Sequence, residues 1–175
     1  AAGKTPEDVD LLLVATCSGD SIIPSTASVV QKHLQAWNAA AMDLNAACSG
    51  FVYGLEVGTN MIKSGAYKTV LVVGTEKLHH LIDFTDRTTC VLFGDGAGAV
   101  VLEPTEGPAG VLASDLGMDG SVGHILEVPV DGTAGDRGPI DPRLSGISME
   151  GQEVFRRAVT KMGESSTTAL ERAGI

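Results

Sequence analysis

Two apolar runs of strand length, Val9–Thr16 and Thr69–Glu76, stand either side of a segment with helical spacing, and that alternation narrows the possible folds most. The first run is broken only by Asp10 and predicts a strand buried on both faces. The second carries Val70–Val73 and ends in Gly74-Thr75-Glu76. Between them, Ala39–Leu44 reads as a further short buried strand. A helix is predicted from Cys48 to about Ser64, with Phe51 and Leu55 at i, i+4, Val52 widening the apolar band, and Gly65 as its end. Strands joined through a helix run parallel, so the chain predicts βαβ units and a layered α/β fold.

The rest of the chain fits the same alternation. Ala1–Gly3 reads as the tail of a helix, Thr5–Asp8 as a turn and Cys17–Ile23 as a polar loop. A helix is predicted to start at Pro24-Ser25-Thr26 and run to Leu34 on Val29, Val30 and Leu34. Lys77–Thr89 is polar and mixed. Glu103–Pro108 reads as a turn and Val111–Leu116 as a short strand. Residues 117–146 are rich in Gly, Asp and Pro, and a cap or loop insertion is expected over about 117–148; such stretches serve more often as lids or partner contacts than as linkers. A last helix runs from about Met149 to Ala173, with Val154, Phe155 and Ala158 on one face, Arg156, Arg157 and Lys161 more exposed, and Gly174 ending it. A single domain spanning 1–175 is expected.

Charge and cysteine usage exclude several functions. A formal net charge of −10 argues against nucleic acid and anionic membrane surfaces as partners. No apolar run reaches the length of a membrane span, and no basic-then-apolar leader opens the sequence. Three cysteines without paired spacing give neither a disulfide framework nor a zinc site. A soluble, cytoplasmic protein is expected.

Cys48 is the candidate for chemistry. It falls where a strand hands over to a helix, and Ala46, Ala47, Ser49 and Gly50 are too small to shield it. The unpaired amides and positive dipole end of a helix N-terminus favour a thiolate. A nearby backbone N–H could receive oxyanion charge from a substrate carbonyl. The same residue also reads as a small buried core cysteine. His79, His80, Asp83 and Asp86 lack the spacing of any zinc pattern, so no metal site is assigned. Gly94–Gly98 is not a nucleotide loop, because Ala99–Leu102 after it is a strand pattern rather than a helix. Those glycines are expected to allow a sharp turn and close packing.

Several short motifs occur in one register: Pro24-Ser-Thr26, Ala46-Ala-Cys-Ser-Gly50, Ser64-Gly-Ala-Tyr67, Leu71-Val-Val-Gly74, Thr85-Asp-Arg-Thr88, Phe93-Gly-Asp-Gly-Ala-Gly98 and Gly151-Gln-Glu-Val-Phe155. Together they resemble β-ketoacyl-acyl carrier protein synthase III of the thiolase superfamily, over essentially the whole chain. The resemblance implies a layered αβαβα fold, here mainly its N-terminal half and truncated at both ends. It implies acyl transfer from acyl-coenzyme A to Cys48, then decarboxylative Claisen condensation with malonyl-acyl carrier protein, initiating fatty acid synthesis. No tightly bound cofactor is implied; acyl-coenzyme A is a substrate.

By position, the resemblance places Arg87 on the coenzyme's adenine, as suits a guanidinium over a π face; a surface ion pair with Asp83 or Asp86 is the alternative. Gly151 and Met149 fall along the pantetheine channel and acyl pocket, as does Phe155. Ile23 matches a residue that crosses a homodimer interface to close the partner's pocket, and Arg156 matches part of the basic surface offered to the acidic carrier protein. The family's carbanion-stabilising His and Asn match none of His33, His79, His80 or His124 and are expected beyond Ile175. The isolated 175 residues are therefore expected to acylate Cys48 slowly and not to condense. A degradative thiolase, a polyketide or other secondary-metabolism condensing enzyme, and a non-catalytic partner subunit remain as alternatives.

Overall fold

Leu11–Ala15 has no polar side chain to show to water, and the fold obliges by surrounding it. In the computed structural model, which describes residues 2–128 and 146–175, these five residues form β1, buried along its whole length. It lies inside a four-stranded sheet in the order β2-β1-β3-β4, with β2 at Ala40–Leu44, β3 at Val70–Lys77 and β4 at Asp95–Leu102. β1 runs parallel to β2 and β3, and β4 runs antiparallel to β3.

Alternate residues of β1 serve opposite faces, as strand geometry requires. Leu11 and Leu13 join Val70 and Val72 under α2 (Gly50–Lys63), where Phe51, Val57, Met61 and Ile62 close over them. Leu12 and Val14 meet Ala27 and Val30 of α1 (Thr26–Leu34) on the other face. The predicted helix–sheet–helix layering is therefore present. α2 lies unusually close to its sheet. A Cβ on Gly54 would stand 2.9 Å from Val72 Cγ1, and one on Gly58 2.9 Å from Leu102 Cδ1.

These elements, up to Lys77 and with Asp95–Leu112, make one compact unit; Leu78–Gly94 with Ala113–Ile175 makes a second. In the second, a 3-10 turn spans Leu78–Leu81 and another Gly120–Ile125, where the Asp119 carboxylate accepts from the Ser121 amide at 3.1 Å. β5 (Leu126–Glu127) pairs antiparallel with β6 (Ser148–Met149), and α3 fills Gly151–Ala173. Gly174, in the left-handed region at φ 74°, ends α3 as expected. Of the expected cap over 117–148, residues 129–145 lie outside the described residues.

Several expectations are corrected. Ala40–Leu44 is a strand but an edge strand, with Ala40 and Met42 exposed, because only β1 flanks it. Gly96 and Gly98 do not make a sharp turn; they sit within β4, paired to β3 at Glu76 and Gly74. Val111–Leu116 forms no strand. There the Ser114 carbonyl accepts from Arg172 Nη1 at 2.7 Å and the Asp115 carbonyl from Ser165 Oγ at 3.1 Å, both side chains of α3. Ala2 and Gly3 are not helical. Phe155 does not lie on a covered face of α3, as its exposure below makes plain.

Candidate active site

The strand-to-helix corner exists, and it is sharper than a strand running into a helix. β2 ends at Leu44, and α2 begins at Gly50 rather than at Cys48. Between them Ala47–Ser49 forms a single 3-10 turn with Cys48 at its middle. Ala47 has φ 45°, a left-handed conformation that a residue with a Cβ seldom takes. Such a residue next to a candidate nucleophile is where backbone strain is commonly held for function. The Asn45 side-chain oxygen accepts from the Ala47 amide at 3.3 Å, and the Ser49 amide donates to the Ala46 carbonyl at 3.1 Å. Among the described residues no side chain caps α2. Cys48 is exposed, which removes the buried-core reading of this residue.

A second cluster gathers at the ends of β1 and β3. The Glu76 carboxylate accepts from the Cys17 amide at 2.9 Å, from the Ser18 hydroxyl, and from the Thr16 hydroxyl at 3.5 Å. Ser18 Oγ in turn accepts from the Lys77 amide at 2.7 Å. One carboxylate thus ties the loop after β1 to the end of β3. The Cys17 thiol is pushed up to about 11: first by the protein atoms that desolvate it, then by the Glu76 charge and hydrogen bond, and further by Cys48.

Ile23 stands at 87% exposure on the loop between β1 and α1, beside an equally open Ile22. The base of that loop is held by Asp43 of β2, whose carboxylate accepts from the Thr26 amide at 2.9 Å and the Ala27 amide at 2.6 Å. Ser25 caps the same helix by accepting from the Ser28 amide at 3.2 Å. Asp43, Glu76, Cys17 and the Ala47 conformation were not singled out by sequence reasoning. Only Asp43 left a signal there, as a charge inside an apolar strand pattern.

The remaining candidates lie in the second unit. Arg87 is exposed on the Asp83–Thr89 turns, and the ion pair considered for it does not form. Asp83 accepts instead from the Thr85 amide and hydroxyl at 2.8 and 2.6 Å. Asp86 accepts from the Thr88 amide at 2.9 Å and from the Thr88 and Thr89 hydroxyls, both at 2.6 Å. These bonds hold both carboxyls below their ordinary range. The Ile147 amide donates to the Leu81 carbonyl at 2.8 Å, joining this segment to the one that leads into β6.

Met149, Gly151, Phe155 and Arg156 follow one another along the end of β6 and the first turns of α3. Glu150, Gly151, Gln152, Glu153 and Arg156 line an open depression there. Met149 is half-buried and Phe155 is 71% exposed. Arg156 is gripped by Glu153 through Nε at 3.0 Å and Nη2 at 2.7 Å. His79 and His80 contact each other with ring centroids 4.1 Å apart. Among the described residues no three His, Cys, Asp or Glu side chains group as a metal site.

Comparison with known proteins gives this geometry a context. Residues 42–120 match the family model described as 3-oxoacyl-[acyl-carrier-protein (ACP)] synthase III. β-Ketoacyl-[acyl-carrier-protein] synthase III 2 of Vibrio vulnificus is 51% identical over 174 residues, covering 99% of this chain and 48% of that protein. The crystal structure of 3-oxoacyl-[acyl-carrier-protein] synthase III from Aquifex aeolicus superimposes with a TM-score of 0.87 at 42% identity, over 98% of this chain and 51% of that one. The priming β-ketosynthase of the R1128 polyketide pathway gives a TM-score of 0.87 at 35% identity, over 99% of this chain and 52% of that one. The chain spans about half the length of the curated relatives it matches. Over that span the chain shares the thiolase-like fold of these proteins, carries an exposed cysteine at the strand-to-helix corner, and is similar to β-ketoacyl-[acyl-carrier-protein] synthase III.

Proposed function

We propose that these residues take an acyl group from acyl-coenzyme A onto Cys48, and that the whole protein to which they belong starts fatty acid synthesis by condensing that group with malonyl-acyl carrier protein. The observation that carries this reading is the placement of Cys48, exposed on a one-turn corner whose preceding residue is forced left-handed. In the first half-reaction the Cys48 thiolate adds to the thioester carbonyl. The tetrahedral intermediate then collapses, the carbon–sulfur bond to the coenzyme breaks, and the coenzyme leaves as a thiolate that takes a proton from solvent. In the second, loss of carbon dioxide from the malonyl group supplies the carbanion that attacks the acyl-cysteine, releasing Cys48.

Arg87 and Gly151 are assigned to coenzyme A, with the exposed guanidinium lying on adenine. Ile23, Met149 and Phe155 are assigned to the primer's acyl pocket. Ile23, standing clear of its own unit, suits a role across a homodimer interface, and the open edge of β2 is compatible with such a pairing. Arg156 is assigned to the acidic carrier protein, which must compete with Glu153 for the guanidinium. The protein acts in the cytoplasm as one condensing-enzyme domain, without a tightly bound cofactor. Among the described residues no helix is long and apolar enough to cross a membrane.

The test is peptide mass spectrometry after incubation with acetyl-, branched and longer acyl-coenzyme A. An acyl adduct on Cys48, absent in Cys48→Ala, is expected; an unmodified Cys48 with every donor overturns the reading. Arg87→Ala should weaken coenzyme binding, and unchanged affinity removes Arg87 from the site. A second reading, a polyketide-priming enzyme, is favoured by the likeness to the R1128 ketosynthase. It shares the acyl transfer, and the preferred donor in the same series separates the two.

A further inference from the structure

Cys17 has no part in the acyl transfer described above, yet the fold delivers it to the nucleophile's corner. β1 and β2 run parallel and stop level, Ala15 opposite Leu44. The Thr16 amide still donates to the Leu44 carbonyl at 3.1 Å, so the ladder carries on to the residue before Cys17. On the β2 side the chain folds back through Ala47–Ser49. By Gly50 it is so close to β1 that an added Cβ would lie 3.2 Å from the Ala15 Cβ. The turn bearing Cys48 therefore overlies the strand end from which Cys17 emerges, and both cysteines are exposed. Electrostatics agree: a charge on Cys48 is one of the influences that raise the Cys17 thiol.

We propose that Cys17 and Cys48 close a reversible disulfide when the protein meets a peroxide, sparing the nucleophile from irreversible oxidation. The Cys48 thiolate attacks one oxygen of hydrogen peroxide; the O–O bond breaks, hydroxide leaves and Cys48 becomes a sulfenic acid. Cys17, giving its proton to solvent, attacks the Cys48 sulfur; the S–O bond breaks and the departing hydroxide takes up a proton. Two thiols and one hydrogen peroxide give one disulfide and two waters, and the two electrons come from the sulfurs.

Desolvation and the Glu76 charge work against the Cys17 thiolate, with Cys48 the other titratable group acting on it. At neutral pH Cys17 is therefore protonated and idle, available only to a sulfenic acid beside it. Closure then accelerates about tenfold per pH unit as the pH rises toward the Cys17 value. Glu76→Gln, which removes the charge, makes closure faster at pH 7.

The test uses the protein as its organism makes it, reduced, exposed to hydrogen peroxide, blocked with N-ethylmaleimide and digested without reductant. A linked Cys17–Cys48 peptide is expected, with acyl transfer lost on oxidation and recovered with dithiothreitol. In Cys17→Ser, compared with its own untreated activity, Cys48 should end as sulfinic acid and dithiothreitol should recover nothing. Finding Cys48 as sulfinic acid in the unaltered protein while Cys17 carries N-ethylmaleimide overturns the proposal, as does linkage of Cys17 or Cys48 only to Cys90 or to another molecule. Should Cys17→Ser not fold, the peptide map of the unaltered protein across pH 7–10 decides. The linked peptide does not depend on Cys48 being the acyl acceptor, whereas the loss of transfer does, so the two readings fail separately.

Discussion

Among the described residues, the two longest helices are built on opposite plans. α2 has 14 residues and places Gly50, Gly54 and Gly58, one per turn, against the sheet, all three buried. α3 has 23 residues, none of them buried, and leaves Phe155, Val159 and Met162 largely in solvent. Cys48 is fixed by the chain immediately before α2, so its position inherits the rigidity of a close-packed helix–sheet contact. Gly151 and Arg156, assigned to coenzyme and carrier protein, sit instead where α3 starts, on an element tied to residues 114–119 by hydrogen bonds and ion pairs.

That contrast breaks most visibly at Gly54. Gly54→Val puts a branched side chain where a single added carbon already stands 2.9 Å from Val72 Cγ1. With Val72 fully buried there is nowhere to yield, and α2 must lift from the sheet. A loss of about 3 kcal/mol is expected from a shift in the denaturant midpoint. Slower acylation of Cys48 should accompany it, measured well below the unfolding midpoint. A variant as stable as the parent would show that α2 is not seated by its glycines.

Next in size is Asp43, which joins β2 to α1 through two amides. Asp43→Ala leaves those donors without their acceptor and should cost about 2 kcal/mol, again from the denaturant midpoint. If the loss is no larger than a few tenths of a kcal/mol, Ser25 alone caps α1.

How much of this was legible follows from what is local. β1 was readable because a strand buried on both faces must be apolar throughout, and the corner at Cys48 because periodicity changes there. The end of α3 was marked by Gly174. The exposure of β2 was not, since strand order decides which apolar strand becomes an edge, and order is not a local property. Glycines 94–98 read as a turn because glycine is a poor strand former; β4 forms there because β3 offers it a partner ladder. Asp43, Glu76 and Cys17 acquire their roles from residues distant in sequence: Glu76 binds a loop 58 to 60 residues away. The left-handed Ala47 carries no signal at all, because alanine does not favour that conformation. The apolar positions of α3 read as core because periodicity reports a face without saying what covers it.

A gentler substitution sharpens that last point. Gly163, inside α3, has nothing among the described residues within 4 Å of an added Cβ. Gly163→Ala should therefore gain about 0.5–1 kcal/mol from the lower backbone entropy of the unfolded chain. The sign is the informative part. A gain in thermal midpoint means that this face of α3 meets solvent. A loss means that something packs on it, and the helix is then less unlike α2 than its exposure suggests.

The smallest expected effect concerns the ion pairs on α3. Glu153 accepts from Arg156 at 3.0 and 2.7 Å and from Arg157 at 2.6 Å, and these hydrogen bonds hold its carboxyl down at about 2. A carboxyl depressed on folding contributes stability above its unfolded value of about 4.3, and that contribution fades as pH falls toward the folded value. The carboxyl carbon of Glu153 should therefore stay ionised in an NMR titration down to pH 3. Arg156→Ala or high salt should move its midpoint upward. Yet Arg156 and Arg157 lie three and four residues along the same helix, so these bonds link α3 to itself, whereas the Arg157–Asp119 contact at 3.6 Å and the Arg172–Asp115 pair at 2.9 Å reach beyond it. Losing Glu153 should hardly change the unfolding midpoint of the protein, in contrast to Gly54. If Glu153→Gln unfolds the protein as readily as Gly54→Val, surface charge anchors α3 as firmly as close packing anchors α2, and the distinction between the two helices disappears.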